Sequence, residues 1–133
     1  MAKNMKNSKV LKVVLFVSGL IAASVGGAIL LMPGAFYASN GIDLGGNVSL
    51  LNEIRASGGL LLAVGILIIS GSFIASLTFT AVVVASLLYL SYGLSRILSL
   101  TIDGMPSEGL VQAAALEIAI GVVCLWTFAK YRE

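Results

Sequence analysis

The sequence contains no histidine, one cysteine and few charges, with 11% of its 133 residues being Asp, Glu, Lys or Arg. Without histidine the chain lacks the commonest transition-metal ligand, the usual haem ligand and the usual acid/base group near neutral pH. The lone Cys124 has no partner in the chain for a disulfide, and its apolar surroundings read as those of a small buried hydrophobe. The CxxC, HExxH and GxSxG patterns and the phosphate-binding P-loop are all missing. A net charge of +2, tied to the termini, excludes the nucleic-acid-binding class. No residue set implies a metal or another cofactor, and no nucleophile–base pair marks a catalytic centre.

What the chain does have is apolar residues, 59% of the total, and a mean hydropathy of +1.06. A soluble domain carries about a quarter charged residues. This composition leaves too little polar surface to face water on all sides, so the broad class is integral membrane protein. Residues 13–42 are uncharged, and VVLFVSGLIAASVGGAILLM (13–32) spans ~30 Å as a helix before Pro33-Gly34 ends it. Residues 56–95 form a 40-residue uncharged stretch, too long for one span. It is expected to turn back within SGSFIASLTFT, residues 70–80. The expected architecture is a single all-α domain over residues 1–133. It is a four-helix membrane bundle with spans near 11–32, 50–72, 78–99 and 109–130. The first span exceeds a signal peptide's apolar core and no A-x-A site follows it, so it reads as a retained anchor.

Lys3, Lys6, Lys9 and Lys12 precede the first span, and Lys130 and Arg132 follow the last. With four spans these six basic residues share one side with Glu133, and the positive-inside rule makes that side cytoplasmic. The opposite side holds Asp43, Glu53, Asp103, Glu108 and Glu117 against Arg55 and Arg96. The expected topology is N-in, C-in, in a plasma membrane.

Small residues mark the faces on which helices meet in lipid. The first span offers the rows Ser18, Ala22, Gly26 and Gly19, Ala23, Gly27; the second offers Ala56, Gly59 and Ala63 beside Gly58. In the fourth, Ala113, Ala114 and Gly121 share a face with Glu117. These rows serve contacts within the bundle or the face of a homo-oligomer. The connection PGAFYASNGIDLGGNVS (33–49) is long for a helix–helix loop, with Phe36 and Tyr37 suited to the membrane interface. It reads either as a free hairpin or as a segment folded over the mouth of the bundle. Asn47 or Ser49 is the expected cap of the second span and Ser107 that of the fourth.

Glu117 stands alone in the apolar run of residues 110–128. A bare carboxylate in mid-membrane costs about 2.5–3.5 kcal/mol and therefore pairs, takes up a proton or faces a cavity. Arg96 and Arg55 approach it from the same end of the bundle, and both have stems long enough to reach along a helix. Tyr92 and Tyr89 lie close to the face of Arg96; Asn52 shares a face with Arg55, and Glu53 points away from it. Asp103 and Glu108 flank the last turn, where two carboxylates form a weak divalent-cation site. The cluster of Glu117, Arg96, Arg55, Glu53, Asn52, Asp103, Tyr92 and Tyr89 is open to several roles. It is a structural ion pair, a site for a small polar or amphipathic ligand, a relay for protons or cations, or a general acid/base.

NEIRASGG at the head of the second span, SRILSLTIDGMP at the exit of the third, and Glu117 in the fourth resemble a bacterial family. Its members are small four-helix inner-membrane proteins of unknown function, grouped loosely with DoxX-like proteins. The resemblance covers about residues 10–130 and implies a four-helix membrane fold. It sets the family's polar positions on Glu53, Arg55, Gly59, Arg96, Asp103, Gly104 and Glu117. Some DoxX-like relatives are linked to quinone or thiol redox chemistry or act as membrane chaperones; a single cysteine leaves no pair for the thiol version. The favoured expectation is a non-enzymatic accessory or assembly factor, or a subunit of a larger membrane complex, surrounded by membrane lipid. The alternatives are a binding protein or transporter for a small quinone- or lipid-like amphiphile, and a quinone-using redox partner with Tyr89, Tyr92 and Arg96 at the head group.

Overall fold

The computed structural model describes residues 8–131; Lys3, Lys6, Arg132 and Glu133 lie outside them. Four long helices make up most of the chain. Helix α1 (Lys9–Leu31) is followed by a short α2 (Pro33–Ala38), then α3 (Val48–Phe73), a 3-10 turn (Ala75–Leu77), α4 (Thr78–Asp103) and α5 (Glu108–Tyr131). The four long helices have the length and apolar character of membrane spans. Their outward faces are apolar as well, with Val13, Leu20, Leu60, Leu87, Leu116 and Val122 all exposed. A helix that is apolar on every side is suited to lipid rather than to water.

Local chemistry sets the ends. Ser8 accepts from the Leu11 amide at 3.1 Å, so α1 begins at Lys9 and takes Lys9 and Lys12 into its first turns. Pro33 stops α1 and then opens α2 at its first position, where its missing N–H has no role. Part of the 33–49 connection is therefore helical rather than loop. Asn47 caps α3 by accepting from Leu50 at 3.1 Å. The Ser107 carbonyl accepts from Leu110 and Val111 as α5 starts. The turn expected within residues 70–80 falls at Ile74, the one extended residue between α3 and the 3-10 turn. Thr78 Oγ1 closes it by donating to the Gly71 carbonyl at 2.8 Å. Helix α4 runs four residues beyond its expected end, to Asp103, and Gly104 stops it with a φ of 101°.

The bundle is two antiparallel pairs, α1 with α3 and α4 with α5. Backbone meets backbone in the first pair: a Cβ on Gly26 would lie 2.7 Å from the Gly58 carbonyl oxygen, and one on Gly19 would lie 2.9 Å from that of Gly65. Gly65 in turn faces Ala23. In α3 the contact is thus made by Gly58 and Gly65, not by Gly59, which faces open space as Gly27 does in α1. In the second pair Gly93 meets Ile118 and Gly121 meets Leu90.

The two ends of the bundle differ. The end carrying the α3–α4 hairpin, the start of α1 and the end of α5 is densely filled by Leu11, Leu15, Ile68, Ala81, Val82, Ala85 and Cys124, all at 0% exposure. At the opposite end, which carries the 33–47 connection, Ala22, Ile29, Leu61 and Tyr89 are buried but surround a hollow.

Candidate functional site

The close approach of α4 and α5 creates the site. Arg96 follows Gly93 by three residues and Glu117 precedes Gly121 by four, so each lies one turn from a glycine contact and the two face each other. Arg96 Nε donates to Glu117 Oε1 at 2.6 Å and Nη2 donates to Oε2 at 3.4 Å, a two-pronged pair. Their side chains are 32% and 17% exposed, so the pair is held at the edge of the protein interior. The guanidinium also lies 5.9 Å from the centre of the Tyr92 ring.

Both charged groups line a cavity of about 500 Å³ at the connection end. All four long helices contribute to its wall, which includes Ile21, Val25, Ile29, Leu61, Leu88, Leu110 and Leu116. The connection covers the mouth: Phe36 and Tyr37 of α2, packed edge to face at 5.3 Å, line the cavity together with Asn40 and Ile42. Burial raises the Tyr37 phenol above its ordinary value, the nearby Tyr92 adds to the shift, and the Arg96 charge opposes it. Asn40 holds the cover against α5, its side-chain oxygen seated where a Cβ on Gly109 would come within 2.7 Å. A smaller hollow of about 270 Å³ lies on the far side of Tyr92, Arg96 and Leu110, which form the partition between the two.

Of the polar cluster singled out in the sequence, the structure gathers Glu117, Arg96, Tyr92 and Tyr89 around this cavity. The Tyr89 hydroxyl is already engaged, donating to the Ser18 carbonyl and tying α4 to α1. Arg55 does not reach Glu117. Its guanidinium donates to the Leu30 carbonyl at the end of α1, beside a separate open groove of about 530 Å³ that Asp43 also lines. There the Asp43 carboxylate accepts from the Gly45 amide at 2.9 Å. Asn52 and Glu53 are exposed and outside the cavity, and Asp103 accepts from Ser99 at 2.8 Å at the end of α4. The apolar wall and the α2 cover are the parts that the charges did not point to. Phe36 and Tyr37, two aromatics one residue beyond Pro33-Gly34, were the available signal.

Residues 10–128 match the model of a family described as a domain of unknown function, DUF4345. The chain belongs to that family. No curated protein and no solved structure matches it. The match runs from the first turn of α1 almost to the end of α5, so the DUF4345 domain takes in the whole bundle, its cavity and the Arg96–Glu117 pair.

Proposed function

We propose that this DUF4345 protein is a membrane-embedded binding protein for a small amphipathic molecule. The polar end of the ligand meets Arg96, Glu117 and Tyr92, and its apolar part lies against the aliphatic wall. One observation carries the reading: a single ion pair stands in an otherwise uncharged cavity of about 500 Å³. That is within the range of about 300–1,000 Å³ usual for small-molecule sites. A pair serving helix register alone would need no hollow beside it. The fully packed hairpin end supports binding over passage across the bilayer, because a relay there would need ionisable groups and, among the described residues, Cys124 is the only one in its fully buried cluster.

The same reading places the protein in a bacterial inner membrane, among DoxX-like proteins, with both termini cytoplasmic. Lys9, Lys12 and Lys130 all belong to the hairpin end, which supports that orientation. The cavity then opens toward the extracytoplasmic half.

The test is extraction in mild detergent followed by mass spectrometry of retained small molecules. Ala113 lines the cavity, and Ala113→Phe fills it. Wild type is expected to carry an amphiphile that the variant lacks at similar thermal stability. Equal retention by both proteins rejects the cavity as the site.

An accessory-subunit role is the second reading. Helix α5 is the least covered of the four spans, and Leu116, Val122, Val123, Leu125 and Trp126 are exposed along it. A partner helix would lie there. Copurification with a larger complex at fixed stoichiometry, lost on placing bulky polar residues along α5, favours that reading.

A further inference from the structure

Among the described residues lining the cavity, only Arg96 and Glu117 carry charge, and they are bound to each other. The wall therefore presents a compensated pair rather than a net charge. Among the described residues no other charged group lines the cavity. Arg55 is held at the Leu30 carbonyl beside the separate groove, and Asp43 is bound to Gly45 there. Glu53, Asp103 and Glu108 are exposed and absent from the cavity wall, and Lys9, Lys12 and Lys130 belong to the hairpin end. An anion entering the cavity would find the guanidinium already neutralised, and a cation would find the carboxylate equally occupied. Either ion would remain uncompensated at membrane depth, where unpaired charge is strongly disfavoured. Neutral hydrogen-bonding groups line the cavity in contrast: Tyr37, Tyr92 and Ser57, with Ser39 and Asn40, which already donate to the Phe36 carbonyl and keep acceptor capacity. These can give to and accept from a hydroxyl or a carbonyl without any charge being left over.

We infer that the cavity selects amphiphiles with an uncharged hydroxyl or carbonyl head, and that the Arg96–Glu117 pair rejects charged heads of either sign. This inference rests on the binding function proposed above and assigns the class of ligand to it.

The experiment uses the full chain in lipid nanodiscs and three radiolabelled probes with tails of one length: a long-chain alcohol, the alkyl sulfonate and the alkyl trimethylammonium. Sulfonate and trimethylammonium hold their charge at any working pH, so neither can enter by titration. Wild type is expected to retain the alcohol at least about tenfold better than either ion, the smallest ratio that a clear free-energy difference gives. Glu117→Gln leaves Arg96 uncompensated and is expected to shift the preference toward the sulfonate; Arg96→Gln is expected to shift it toward the trimethylammonium. A wild type that prefers either ion, or two folded variants that both keep the alcohol preference, overturns the inference while leaving a binding function in place. Failure of wild type to retain any of the probes counts against the binding function itself. If a variant does not fold, the wild-type ranking alone decides.

Discussion

Arg96 of α4 and Glu117 of α5 meet through two parallel hydrogen bonds one helical turn beyond the glycines that bring their helices together. The pairing depends on small residues as much as on charge: a side chain at Gly121 would collide with Leu90 at 2.7 Å and push the two helices apart. Removing one partner leaves the other as an unpaired charge in a poorly hydrated site. Arg96→Gln and Glu117→Gln are each expected to destabilise the protein by about 2–3 kcal/mol. The double variant is expected to be more stable than the sum of the two losses implies, because neither charge is then orphaned. Thermal unfolding of all four proteins in one detergent measures the coupling. Strict additivity would mean that the pair contributes nothing as a pair.

The α1–α3 seam makes opposite predictions for adjacent glycines. Gly26→Ala sets a methyl group against the Gly58 carbonyl and the Leu62 amide, backbone atoms that cannot turn aside. A loss of about 1–3 kcal/mol is expected, the usual range for overpacking. Gly27→Ala and Gly59→Ala meet open space and remove helical glycines, so each is expected to be neutral or to gain up to about 1 kcal/mol. Equal losses at Gly26 and Gly27 would show that the seam is not where the structure has it.

The sequence made the four spans plain because each is a strongly apolar run of membrane length with few charges, a signal that depends on composition and not on long-range contacts. The small-residue rows were legible as packing faces, but the choice between neighbours such as Gly58 and Gly59 depends on the rotation of α3 against α1. No local pattern encodes that rotation. The charged cluster divided for a similar reason. Arg55 and Arg96 sit near the same end of the bundle, and the helix crossing decides that Arg96 meets Glu117 while Arg55 caps the end of α1. Residues such as Val25 and Leu110 were invisible as site residues because an aliphatic side chain facing a cavity reads the same as one facing lipid.

Tyr37 gives the cover over the cavity a dependence on alkaline pH. Burial raises its phenol above the ordinary value of about 10, with Tyr92 adding to the shift and Arg96 opposing it. The folded protein therefore holds this proton more tightly than the unfolded chain does. The associated stability is complete below the ordinary phenol value and falls as pH rises through the higher folded value. Tyr37→Phe is expected to flatten the decline in thermal stability above about pH 10. A decline of the same slope in Tyr37→Phe and wild type would place the titrating group elsewhere.

Gly109 is expected to control how firmly the mouth of the cavity is closed. Asn40 seats its side chain against this glycine, and Gly41 beside it approaches Ser107 at 3.9 Å from where its own Cβ would be, so the 33–47 connection rests on the start of α5. A methyl group at position 109 displaces the Asn40 oxygen without touching the Arg96–Glu117 pair or the glycine contacts deeper in the bundle. Gly109→Ala should therefore leave thermal stability within about 1 kcal/mol of wild type, since alanine also suits the helix better than glycine. It should also expose residues 39–47 to faster limited proteolysis and speed the exchange of bound amphiphile several-fold. Restoring room by combining Gly109→Ala with Asn40→Ala should not reverse the effect, because the seat itself is then gone. Asn40→Ala alone is expected to match Gly109→Ala in cleavage rate, whereas wild-type cleavage rates in both would mean that the connection is held by Phe36 and Tyr37 alone.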